Sequence, residues 1–367
     1  MKIKKIYFFL IIFLFFYNFN AFGNEVKIIS KKSPRIVGGF EAEKGAWPWM
    51  VFLIKQGDEI SNCDEFCGGS LIHSKWVVTA GHCTKDINGE KDVVLGLHDL
   101  NSDTGERIHV ERIEIHENYD DYFLYSDIAL LELAHESSYT PISINTSSDS
   151  LESYTSTVIG WGNLVSSGLS YPEKLQQVSI PIIDNQTCVE SYSQEEINDG
   201  MLCAGFKAGG LDACSGDSGG PLMIFHNNNW LLAGIVSWGK GCAEPEYYGV
   251  YTRVSKFVNF IGEYISYEIV GKITADNKAV ANVKITFKGT NYETISDENG
   301  DFYFDMPCGI YNLLIQTQDF LPVNQTVILT QNIQLNIQLS KILGDINKDG
   351  LINQNDVILL QKKIAGF

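Results

Sequence analysis

Between residues 36 and 251 the apolar positions come in brief runs rather than helical stripes. Trp76-Val77-Val78-Thr79, residues 128–133 and residues 231–237 are rich in β-branched and aromatic side chains, and Gly, Asn and Ser turns separate them. Short strands with frequent turn signals predict an all-β barrel or sandwich. Val254, Phe257, Val258 and Ile261 then recur at helical spacing, which predicts a short helix over 254–264. Near residue 268 the character changes again. Residues 269–274 and 283–287 alternate apolar and polar, Asp297-Glu298-Asn299-Gly300 turns into Phe302-Tyr303-Phe304, and residues 309–313 open another strand. A chain of 367 residues has room for two or three such domains.

The first residues follow a different rule. Lys2, Lys4 and Lys5 precede an apolar run at 6–17, and Ala21-Phe22-Gly23 offers small residues for cleavage. This is the pattern of a secretory signal over 1–23. The run is shorter than the ~20 residues that cross a bilayer, and no later segment is long enough either. The expected setting is secreted or cell-surface associated and oxidising, where eight cysteines can pair. Residues 24–35 form a polar, basic segment ending Ser33-Pro34-Arg35.

Charge narrows the partners. Residues 1–35 hold seven of the 27 Lys and Arg and one of the 45 Asp and Glu, leaving 20 bases against 44 acids. A face that binds phosphates must be basic, so a nucleic acid is excluded as partner. An acidic surface favours cationic peptides.

Chemistry concentrates at Cys214-Ser215-Gly216-Asp217-Ser218-Gly219-Gly220-Pro221, with Asp212 six residues before Ser218. A serine between glycines can project its hydroxyl from a tight turn, and the glycines let backbone N–H groups approach a carbonyl. Alone, the motif would be an ordinary surface turn. Upstream, however, stand Thr79-Ala80-Gly81-His82-Cys83 and Ser126-Asp127-Ile128-Ala129-Leu130-Leu131, giving the chain order His, Asp, Ser. Together with Arg35-Ile36-Val37-Gly38-Gly39, Trp47-Pro48-Trp49, Cys67-Gly68-Gly69-Ser70, Gly160-Trp161-Gly162 and Val236-Ser237-Trp238-Gly239, these residues resemble the chymotrypsin-like serine proteases, trypsin branch, over about 35–265.

That resemblance implies two six-stranded antiparallel barrels with the site in the cleft between them. It implies His82 as general base, Asp127 as the buried carboxylate that orients it, and Ser218 as nucleophile, with Gly216 and Ser218 N–H groups as oxyanion hole. Asp212 would lie at the base of the pocket and demand Arg or Lys before the cleaved bond. Gly239 and Gly249 would keep its walls bare, and Ser237 and Gly239 would hold the substrate backbone. Cleavage at Arg35-Ile36 would free an α-amino group to pair with Asp217. Three bridges are implied, Cys67–Cys83, Cys188–Cys203 and Cys214–Cys242. Cys63 and Cys308 are left over, to join across domains, pair with another molecule or stay free. The loop that holds calcium in animal trypsins carries Leu97 and Arg107 at two ligand positions, so no metal is expected there. Catalysis itself requires no cofactor.

Residues 268–340 resemble the carboxypeptidase regulatory-like domain, a small β-sandwich, here expected to act as a spacer. The segment 341–367 resembles one dockerin repeat. Asp345, Asn347, Asp349, Asn353 and Asp356 place oxygen-bearing side chains at loop positions one, three, five, nine and twelve, Gly350 supplies the turn at six, and Leu351 offers its carbonyl at seven. Ca²⁺ needs six or more oxygens around a sharp turn, and this spacing supplies them. Dockerins carry two repeats, so a cohesin or cell-surface partner is an open expectation. From another functional class, the alternative is a binding protein on a protease scaffold. An intact set of His82, Asp127, Ser218 and Asp212 argues against it.

Overall fold

Six strands close the first barrel, in the order Met50–Lys55, Cys67–His73, Trp76–Thr79, Ala129–Leu133, Glu106–Ile115 and Lys91–Leu95. The computed structural model describes residues 37–62, 66–85, 90–147, 149–152, 154–166, 168–193, 196–317, 319–341 and 354–364. All of these belong to one unit, 34–367. The barrel strands pair antiparallel throughout, for example Val77 with Leu131 and Val78 with Leu130. Their β-branched and aromatic residues suit a pleated surface buried on its inner face. Val51, Phe52, Leu71, Val77, Leu95 and Leu131 are all sealed from solvent.

A second ring of six follows: Thr155–Gly160, Gln176–Ile183, Met201–Ala204, Gly249–Arg253, Asn229–Trp238 and Pro221–His226. It closes because Thr155–Gly160 pairs with both Gln176–Ile183 and Pro221–His226. Phe40–Glu41 and Ser143–Ile144 add to its edges. The fold expected from the chain, mainly β with two six-stranded antiparallel barrels, is the one observed. The predicted helix at 254–264 is divided, with a 3-10 turn at Val254–Lys256 and an α-helix at Val258–Gly262. Phe257, at φ −114 and ψ 15, breaks the ladder between them. Its ring lies 5.1 Å from that of His116, and that packing overrides the helical period.

The C-terminal sandwich has two four-stranded sheets. In one, Ser266–Ala275 pairs antiparallel with Lys278–Ala279 and Asp301–Pro307 and parallel with Ile333–Gln338. In the other, Glu293–Ile295, Lys284–Phe287, Gly309–Ile315 and Val323–Leu329 lie in order. Alternation works here as expected, burying Ile269, Ile273, Phe302, Phe304, Ile285, Phe287, Leu313 and Ile315. The turn before Phe302 is fixed by Asp297 Oδ1, which accepts Asn299 N–H and Asp301 N–H, both at 2.8 Å.

The junction is short and packed. Only residues 263–265 separate the helix from the first sandwich strand. Tyr267 is 4% exposed, and its hydroxyl donates to the Ile72 carbonyl at 2.9 Å. Burying an aromatic side chain contributes about 1.5–3 kcal/mol, so this residue seats the sandwich on the first barrel. Cys308 is buried and free, its thiol pushed up to about 12 by burial and turned to the Val258 carbonyl. Cys63, like Arg35, Ile36 and the loop residues Asp345, Asn347, Asp349, Leu351 and Asn353, lies outside the described residues. Asp356 is buried in the helix Gln354–Ile364.

Candidate active site

His82 opens a short helix, His82–Lys85, directly after the strand Trp76–Thr79. The Cys67–Cys83 bridge clamps this segment to the neighbouring strand. Asp127 precedes the strand Ala129–Leu133 and is fully buried. A buried carboxylate is tolerated only when its oxygens are satisfied, and here they are. Oδ1 accepts the His82 backbone N–H at 2.9 Å, and Oδ2 accepts both the His82 Nδ1–H at 2.8 Å and the Ser237 hydroxyl at 2.5 Å. Thr252 donates its hydroxyl to the Asp127 carbonyl at 2.7 Å. With Nδ1 committed to Asp127, Nε2 is the ring nitrogen left for proton transfer. Sequence reasoning missed the Ser237–Asp127 and Thr252–Asp127 bonds, which join residues 110 and 125 apart.

The Ser218 loop is set by backbone bonds. Ser218 O accepts Gly68 N–H at 2.7 Å, and Gly219 N–H donates to Val236 O at 2.8 Å, tying the loop to both barrels. Gly216 sits at φ +97 and Gly219 at φ +78, conformations that favour glycine. Among the described residues, neither the Gly216 nor the Ser218 N–H has an acceptor, and Ser218 Oγ makes no hydrogen bond. The Ser218–His82 contact is therefore not preformed, as is common before substrate binds.

Ser218 lines a cavity of about 140 Å³ whose other walls are 212–215, 236–239, 241–242 and 249–251. Asp212 is 6% exposed, its carboxylate accepting Ala213 N–H at 2.8 Å and Ala243 N–H at 3.1 Å. Burial pushes this carboxyl up to about 7, against those two donors, with the Asp217 charge adding to the rise. Gly239 and Gly249 face each other across the cavity, and a Cβ on Gly239 would stand 3.9 Å from Gly249 Cα. A Cβ on Gly249 would stand 2.7 Å from Asp212 Oδ1. The Cys214–Cys242 bridge closes the wall, and Cys188–Cys203 braces the strand Met201–Ala204 behind it. All three expected bridges are present. The Tyr251 hydroxyl is buried next to Gly249 without a hydrogen-bond partner among the described residues.

Asp217 is completely buried beneath the loop and accepts Gly162 N–H at 2.8 Å and Cys214 N–H at 2.9 Å. Burial pushes it up to about 6. Its seat requires two glycines, since a Cβ on Gly160 or Gly162 would come within 2.1 and 2.4 Å of its carboxylate. That is the physical content of Gly160-Trp161-Gly162.

In the 97–107 loop the acids are committed within the protein. Asp103 pairs with Lys44 at 2.7 Å and accepts His98 and Asp99 N–H groups; the Lys44 bond, then the backbone donors, hold it down at about 2. Arg107 reaches Asp92 at 2.7 Å, and Glu106 accepts the Ser137 hydroxyl. Cys67, His82 and Cys83 also converge, but both sulfurs are spent in a bridge and offer no thiolate to a metal.

Comparison with known proteins gives the same picture. The Trypsin family matches residues 36–261, and the Carboxypeptidase regulatory-like domain matches residues 268–340. A protein from Xenopus laevis named Trypsin is 42% identical over 240 residues, spanning 63% of this chain and 91% of that relative. With a matching fold, three bridges and a Ser237 that joins the His82–Asp127 pair to the cavity Ser218 lines, the chain belongs to the trypsin family of serine proteases, joined to a carboxypeptidase regulatory-like domain.

Proposed function

We propose that this serine protease is an endopeptidase that hydrolyses bonds after Arg or Lys. The observation that carries the reading is Asp212, a buried carboxylate that lines the same cavity as Ser218. A buried carboxylate without a cation is costly, and a guanidinium or ammonium entering between Gly239 and Gly249 removes that cost. In this mechanism Ser218 Oγ attacks the carbonyl carbon while His82 Nε2 takes its proton. The oxyanion forms against Gly216 and Ser218 N–H, each donor worth about 3 kcal/mol in comparable sites. His82 then returns the proton to the leaving amine, and water repeats the sequence to release the acyl group. Ser237 and Gly239 hold the substrate backbone as an added strand.

The chain is made as a zymogen cleaved at Arg35-Ile36. Supporting this, Asp217 has no cation within ion-pair distance among the described residues, and a new α-amino group on Ile36 would supply one. Gly38, two residues further, packs on Gly210 and Leu211 beside the pocket. The pair would order Gly216, and because an α-amino group has a pKa near ~8, raised by pairing, activity should fall at high pH. Secretion follows the leader at 1–23. Ca²⁺ is proposed for the 345–356 loop, where calorimetric titration of the full chain should give one site that is lost in Asp345→Ala.

The test is amidase activity after brief treatment with immobilised trypsin. Arg and Lys anilides should turn over, while Phe and Glu anilides should not. Ser218→Ala should be inert. Equal turnover of Arg and Phe substrates would refute the assignment of Asp212.

A further inference from the structure

Of the 27 Lys and Arg in this chain, set against 45 Asp and Glu, none among the described residues lines the cavity itself. Lys240, however, directly follows Gly239 of the cavity wall. Its side chain is held rather than free. Nζ donates to Tyr247 Oη at 2.8 Å and stands 4.2 Å from the centroid of the same ring. Its backbone N–H donates to Tyr192 Oη at 3.3 Å. The Tyr192 ring in turn meets those of Trp238 and Tyr247 at 4.9 and 5.5 Å. The aromatic platform under the ammonium is thus continuous with the pocket wall.

Among the described residues no carboxylate lies within ion-pair distance of Lys240. Glu246, on the same loop, pairs with Lys207 at 3.4 Å, and the Glu244 side chain lies against Gly241. An exposed ammonium that is already fixed and lacks a counter-ion can receive a carboxylate without much further loss of side-chain freedom. We propose that Lys240 is a specificity-determining residue, selecting an acidic side chain two residues before the Arg or Lys that enters the pocket. This rests on the reading of Asp212 given above. A substrate strand running antiparallel to 237–239 meets it at alternate residues. With the pocket residue at Ser237, the residue two before it lies at Gly239, next to Lys240.

The experiment compares kcat/KM for acetyl-X-Pro-Arg-p-nitroanilide, with X as Glu, Gln or Lys, on the activated full chain freed of trypsin. The expected order is Glu, Gln, Lys, each step about two- to fivefold, the range of an exposed ion pair. The Glu-to-Lys ratio should shrink at high salt, because exposed charges are screened. It should collapse towards one in Lys240→Gln and invert in Lys240→Glu. Tyr247→Ala, which frees the ammonium, should lower it partway. A wild-type ratio near one, or a ratio unchanged in Lys240→Gln, overturns the proposal while leaving the Asp212 reading intact. Failure to cleave even the Gln peptide overturns both.

Discussion

Ser237 donates its hydroxyl to Asp127 Oδ2, the oxygen that also receives His82 Nδ1–H. One residue therefore belongs to both halves of the site, since Ser237 also lines the Asp212 cavity. Ser237→Ala should remove a hydrogen bond to a charged group, an effect of about 1.5–3 kcal/mol, and should lower kcat more than it raises KM. Asp127→Asn should lower kcat by about 10⁴ through the wrong imidazole tautomer. Steady-state kinetics on an Arg anilide separates the two.

Asp212 gives a pH signature. The free enzyme binds a proton at this carboxyl as pH falls through about 7, and a cationic side chain then loses its partner. We expect kcat/KM for Arg anilides to fall below that pH, with KM rather than kcat carrying the change.

The same burial predicts stability. Asp212 and Asp217 titrate at about 7 and about 6 in the fold against 3.8 when unfolded. Between those values the folded chain holds more protons, so stability is greatest at the acid end and is lost as pH rises through about 7. The slope should be on the order of 1.4 kcal/mol per pH unit for each group inside its window. Scanning calorimetry of the uncleaved Ser218→Ala chain from pH 4.5 to 7.5 should show a falling Tm. Adding Asp212→Asn should flatten the upper part of that fall.

The glycines of the pocket are testable as space. Gly239→Val should fill the opening opposite Gly249 and abolish turnover of Arg substrates without lowering Tm. Gly162→Ala should instead drive a methyl into the Asp217 carboxylate and impair both activity and stability. Parallel kinetics and melting curves distinguish them.

Tyr267 tests the junction. Tyr267→Ala should cost about 3–5 kcal/mol, comparable with other buried aromatic truncations, whereas Tyr267→Phe loses only the bond to Ile72 and should cost about 1 kcal/mol. Chemical denaturation measures both. A negligible effect of Tyr267→Ala would mean that the sandwich is not seated on the barrel.

Alternating and short apolar runs sufficed to forecast the strands at 76–79, 129–133 and 284–287, because side-chain period is a local property. The helix at 254–264 was misjudged at its middle, where Phe257 packs on His116 from a distant strand end. Asn145 and Asn185, each two residues before a Ser or Thr, have surroundings that only the fold reveals. Asn145 is 4% exposed, and the Asn185 amide is bonded to the Asn198 and Met201 carbonyls.

By itself the chain determined the order His82, Asp127, Ser218 and the acid at 212, since these are matters of residue identity and spacing, whereas the cysteine pairings were implied only by the family resemblance until the fold showed them. Tertiary structure alone decided that Ser237 and Thr252 hold Asp127, that Gly160 and Gly162 make room for Asp217, and that Tyr267 locks the sandwich in place. Hydrogen bonds and close packing depend on distances between residues far apart in the chain, and those distances are set only when the barrels close.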